Sequence, residues 1–82
     1  MNYQPETENF DKLLNQVIRK FKKGWILQNF SRYGIPSYKW INGKKESNYP
    51  RINEDSFCDL LECDIIEFDL GNGYFANYKL KS

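Results

Sequence analysis

Histidine is absent from this chain of 82 residues, and its two cysteines are Cys58 and Cys63. Without histidine, a cysteine nucleophile lacks its usual general base. Two cysteines and no histidine fall short of the four ligands of a closed zinc site. Five residues apart on a helix, the two thiols point to different faces, which argues against an intrachain disulfide. The spacing predicts two free thiols, at least one of them packed. No apolar run is long enough for a transmembrane helix, and the N-terminus has no basic stretch followed by an apolar one. The expectation is a cytoplasmic, non-enzymatic protein with no metal and no cofactor.

Aromatic residues, by contrast, are abundant, with two Trp, six Tyr and six Phe in a chain that is 40% hydrophobic. A chain of this length buries only about 60% of its unfolded surface, so large rings are an efficient source of buried area and can also act as binding anchors. The net charge is only +1, but its distribution is lopsided. Nine basic residues and a single acidic one, Glu46, lie between Leu13 and Arg51. Between Ile52 and Tyr78 there are seven acidic residues and no basic one. This charge dipole is the most informative feature of the composition.

The pattern predicts one α+β domain over residues 7–82, preceded by a flexible arm over 1–6 that Pro5 closes. Thr7 or Asn9 is placed to cap a helix. Phe10, Leu13, Leu14, Val17, Ile18 and Phe21 then recur at spacings of three and four, forming one apolar face that Gly24 terminates. The core is expected between Phe10, Leu14, Val17, Ile18 and Phe21 and a hairpin containing Trp25, Trp40 and Ile41. Trp25 to Phe30 reads as a strand, Ser31 to Ser37 as a turn, and Tyr38 to Ile41 as a second strand. Asn42-Gly43 signals a two-residue hairpin turn, after which Lys44 to Ser47 can pair back. Asn53 caps a short helix over 54–63, with Phe57, Leu60, Leu61 and Asp64 on one side and Asp55, Asp59 and Glu62 on the other. Ile66, Phe68 and Leu70 alternate with Glu67 and Asp69 as in a strand. Gly71-Asn72-Gly73 turns the chain into a last strand, Tyr74 to Leu80. That glycine pair precedes a strand and not a helix, so it is a turn and not a phosphate loop.

The order is helix, hairpin, short helix, hairpin. From Asn53 to Leu80 the chain resembles the recognition helix and wing of winged-helix domains, and it is similar to the small accessory and inhibitor proteins of phages and mobile elements. That resemblance implies a winged-helix-like fold and an inhibitor of a host nucleic-acid-handling, or defence, complex. A DNA-reading helix needs Arg, Lys, Asn or Gln in the major groove, whereas here the exposed face carries Asp55, Asp59 and Glu62. DNA reading in the usual way is therefore not expected.

Two surfaces compete for the function. Asp55, Asp59, Glu62, Glu67 and Asp69 form either a solvated face or a docking surface for a basic protein partner, entering a place meant for phosphates. Lys22, Lys23, Arg32, Tyr33, Lys44, Lys45, Tyr49 and Arg51 form either a solvated surface or a nucleic-acid interface. In the second case cations would follow phosphates while rings stack on bases.

Overall fold

The computed structural model describes residues 5–81. Of the arm expected over residues 1–6, residues 1–4 lie outside the described residues, and Pro5 and Glu6 belong to the first helix. α1 spans Pro5–Lys22. It begins before the expected cap at Thr7 or Asn9 because proline, with φ already helical and no N–H to leave unpaired, suits a first helical position. Its end is the predicted one. Gly24, at φ 94, donates to the Phe21 carbonyl at 2.9 Å, and Trp25 donates to the Lys20 carbonyl at 3.2 Å, the paired bonds of a Schellman motif.

Five strands follow and form one antiparallel sheet. They are β1 (Ile26–Arg32), β2 (Ile35–Asn42), β3 (Lys45–Ser47), β4 (Ile66–Gly71) and β5 (Phe75–Leu80), in the order β3-β2-β1-β5-β4. The second helix, α2 (Glu54–Glu62), lies between β3 and β4 in the chain. The architecture is thus α+β, but the layout differs from the expected winged helix. The last hairpin is not a free wing, because β5 pairs with β1 from Leu27↔Tyr78 to Phe30↔Phe75 and joins both hairpins into one sheet.

Two turns differ from their sequence reading. The segment Ser31 to Ser37 is not a long turn. β1 and β2 run in register to Arg32↔Ile35, leaving Tyr33-Gly34 as a two-residue turn with φ 53 and 78. Pro36 is accommodated within β2 because Ser31↔Pro36 is a non-hydrogen-bonded pair beside the closing pair, so its nitrogen faces away from β1. On that side β3 reaches only Trp40 to Asn42, and no ladder bond is lost. The second turn is shifted by one residue. Asn42 pairs with Lys45, so the turn is Gly43-Lys44, with positive φ at Gly43 alone, as a type II′ turn requires.

Both helices pack on one face of the sheet. Val17, Leu27, Trp40, Ile52, Phe57, Leu60 and Ile66 form the buried core, with Phe10, Leu13, Leu14, Phe21, Trp25, Tyr38, Ile65 and Tyr78 packed around it. Phe21 meets Trp40 edge-on at 5.0 Å, and Phe57 sits between Tyr38 at 4.9 Å and Tyr78 at 4.8 Å. The predicted helix face is therefore packed through Phe10, Leu13, Leu14, Val17 and Phe21, but Ile18, half-buried, and Ile41 are not part of this core. Strand alternation places Ile41 with Ile26 on the opposite sheet face. That face carries no helix among the described residues and mixes Ile26, Phe30 and Phe75 with Gln28, Lys39 and Asn77.

The α2 N-terminus is set as predicted, with Asn53 Oδ1 accepting from the Ser56 amide at 2.8 Å. Asn53→Ala is expected to cost about 1 kcal/mol, the usual worth of such a cap, read as a lower unfolding midpoint in urea. An unchanged midpoint would show that water replaces the cap at no cost. At the other end Asp64 adopts φ 58 and its carboxylate accepts from Lys81 at 3.1 Å. It terminates the helix and does not join the apolar side, and Leu61 is likewise exposed.

Candidate functional site

α2 turns Phe57 and Leu60 into the core. At 100° per residue this leaves Asp55, Asp59 and Glu62 in one stripe facing solvent. Glu54 stands at the start of the same helix. None of these four carboxylates has a cation within ion-pair distance among the described residues, whose ion pairs involve Glu46, Asp64, Glu67 and Asp69. Cys58 and Cys63 are both free and exposed. The expectation that at least one is packed is not met, because Cys58 flanks the solvent stripe and Cys63 is the C-cap residue.

Glu67 and Asp69 do not extend that stripe. Ile66 is buried against the helices, so Glu67 points to the other side of the sheet. There Lys79 approaches both carboxylates at 4.0 Å. The five acidic residues grouped by sequence therefore split into an unpaired trio on α2 and a bridged pair on β4.

The basic set also divides. Arg32 and Tyr33 lie at the tip of the β1–β2 hairpin. Lys22, Lys23, Lys44 and Lys45 lie at the other end of that hairpin, about 20 Å away for seven residues of strand. Arg51 lines a separate groove of about 660 Å³ with Ile35, Tyr38, Asn48 and Glu54. Burial there raises the Tyr38 phenol above its ordinary pKa, and the Glu54 carboxylate adds to this. Tyr49 and Lys23 come together in a third place, a cleft of about 450 Å³ completed by Gln16, Arg19, Lys20, Trp25 and Pro50.

This cleft is tied together by specific contacts. Gln16 donates to the Tyr49 hydroxyl at 2.6 Å, and Lys20 donates to Ser47 Oγ at 3.2 Å. The Lys20 ammonium also lies 4.1 Å from the centre of the Trp25 ring. Beneath, Trp40 Nε1 donates to the Pro50 carbonyl at 2.9 Å, which fastens the loop carrying Tyr49 to the core. Gln16 and Trp25 were not among the sequence candidates. The available signal was the spacing of Gln16, Arg19, Lys20 and Lys23, which shares one helix face.

Among the described residues no three or more His, Cys, Asp or Glu side chains converge, and no helix is long and apolar enough to cross a membrane. Comparison with known proteins finds no matching family model, no matching curated protein and no matching solved structure.

Proposed function

We propose that this chain is a non-enzymatic binding protein that docks on a protein partner through the acidic face of α2. The observation that carries this reading is the contrast between the strand carboxylates, which have lysine partners, and Asp55, Asp59 and Glu62, which have none among the described residues. Three like charges on adjacent turns repel one another by a few tenths of a kcal/mol per pair. A basic partner relieves that repulsion and is steered toward the stripe. Glu67 and Asp69, already bridged by Lys79, contribute little to the contact. The resemblance to phage accessory proteins extends the proposal to its partner, a nucleic-acid-handling complex whose basic groove the carboxylates would enter in place of phosphates.

Charge reversal tests this directly. Asp59→Lys with Glu62→Lys is expected to lower recovery of the partner from native host lysate by about ten-fold or more, since like-charge juxtaposition costs several kcal/mol. Lys22→Glu with Lys23→Glu is expected to leave recovery near that of the parent chain. Quantitative mass spectrometry of the two eluates gives the comparison. The reverse ranking sinks the reading.

A further inference from the structure

We infer that the cleft between the end of α1 and the Ser47–Pro50 loop binds a nucleotide, its phosphate held by Arg19 and Lys23 and its base laid against Tyr49. This site lies apart from the acidic face of α2 and does not depend on the docking reading.

Three observations carry it. First, the cations are unneutralised. Arg19, Lys20 and Lys23 belong to no ion pair among the described residues, although they crowd one helix face. Completing the helix dipole accounts for cations near a C-terminus. Here, however, the Phe21 and Lys20 carbonyls are already satisfied by Gly24 and Trp25.

Second, an aromatic ring is both exposed and fixed. Tyr49 is 64% exposed, yet its hydroxyl accepts from Gln16 and its amide donates to Ser47 Oγ at 3.2 Å. The neighbouring Pro50 is buried and its carbonyl is held by Trp40. A ring immobilised in advance has little entropy left to lose when a flat ligand stacks on it. Because the hydroxyl accepts from Gln16, its own proton is free to be donated to a ligand.

Third, the size fits. The cleft of about 450 Å³ falls within the range of about 300–1,000 Å³ usual for small-molecule sites. Cations beside a stacking ring are the combination that single-stranded nucleic acid and free nucleotides share. The stacking ring and the cations recognise features common to all nucleotides, which predicts little preference among bases. Lys22, Lys44 and Lys45 at the same end of the molecule offer a continuation for further phosphates.

The test is fluorescence anisotropy with a labelled eight-residue oligothymidylate at 50 mM and 200 mM salt, with thymidine monophosphate as competitor. Neutralising about three phosphates predicts a log–log salt slope near −2 for a single strand. Tyr49→Ala is expected to weaken binding by about ten- to hundred-fold, the usual worth of one base–aromatic stack. Tyr49→Phe, which keeps the ring but loses the hydroxyl's bond to Gln16, should weaken binding by less than Tyr49→Ala does. Arg19→Glu with Lys23→Glu is expected to abolish measurable binding, while Asp59→Asn with Glu62→Gln does not weaken it. Circular dichroism and urea midpoints confirm that each variant is folded. Effective competition by thymidine monophosphate identifies a free nucleotide as the ligand, and weak competition identifies a strand. Either supports the cleft. No binding by the parent chain at 50 mM salt overturns the inference, as does binding that survives both Tyr49→Ala and the Arg19, Lys23 reversal.

Discussion

Trp40→Ala is expected to cost about 3–5 kcal/mol, the range for deleting a large buried aromatic, and so to remove a large part of the stability of so small a domain. Trp40 is 1% exposed and the largest of the fully buried side chains. It stacks edge-on with Phe21 of α1, pairs with Leu27 in β1, and holds the Pro50 carbonyl through its indole N–H. One side chain thus joins helix, sheet and loop. Trp40→Phe separates these roles. It keeps most of the apolar volume but leaves the buried Pro50 carbonyl without its donor, a penalty of about 1–3 kcal/mol. Urea unfolding gives both costs. A second readout distinguishes packing from positioning. If the indole bond fixes the loop, Trp40→Phe loosens Tyr49, and the quenching of Tyr49 by acrylamide is unsuitable beside a tryptophan signal, whereas amide exchange at Tyr49 and Arg51 reports it directly. Exchange as slow as in the parent chain would show that Pro50 burial alone holds the loop.

The elements of this fold were legible where one periodicity governs a segment. The α1 face from Phe10 to Phe21, the Gly24 stop and the Asn53 cap are local signals, and each appears where it was expected. The sheet was less legible because its decisive pairing is non-local. Nothing near Leu27 or Phe30 announces Tyr78 and Phe75 as partners, so two hairpins read separately where the chain forms one sheet. Pro36 was read as part of a turn because its compatibility with β2 depends on how short β3 is. Alternation also failed at one place. The register shifts between Phe68 and Leu70, so Leu70 pairs with Asn77 and leaves the face that Phe68 shares with Tyr78.

The candidate sites follow the same division. The α2 stripe of Asp55, Asp59 and Glu62 was readable because helical geometry alone brings those residues together. The cleft was not, since Gln16 and Tyr49 are 33 residues apart in the chain. Trp25 was assigned to the core on its strand position. The structure gives it both roles, packed against the core on one side and lining the cleft on the other. Charge segregation along the chain predicted two surfaces of opposite sign. It could not show that Lys79, from the other strand of the hairpin, would bridge Glu67 and Asp69.

Gly71→Ala is the second substitution expected to have a large effect, and space accounts for it. A Cβ at Gly71 would lie 2.5 Å from the Phe75 carbonyl oxygen and 2.8 Å from Ala76 Cα. Both obstacles are backbone atoms of the paired strand, so no side-chain rotation relieves the contact. β4 and β5 must separate where the hairpin closes, and the Asn72 amide bond to the Phe75 carbonyl, at 2.9 Å, must stretch or break. Overpacking of this kind costs about 1–3 kcal/mol. Gly73→Ala is the matched control. Among the described residues no heavy atom beyond its chain neighbours lies within 4 Å of its Cβ position, and its φ is not positive. It should be neutral, or stabilising by about 0.4–1 kcal/mol through the reduced freedom of the unfolded chain. The unfolding free energies of the two variants, read from urea titrations, therefore move in opposite directions or differ by at least about 1 kcal/mol, as these ranges require. Equal midpoints would show that the hairpin end yields freely. The Lys79 bridge to Glu67 and Asp69 would then rest on a pliable β4 edge, and the division of the acidic residues into bridged and unpaired sets would lose its rigid basis.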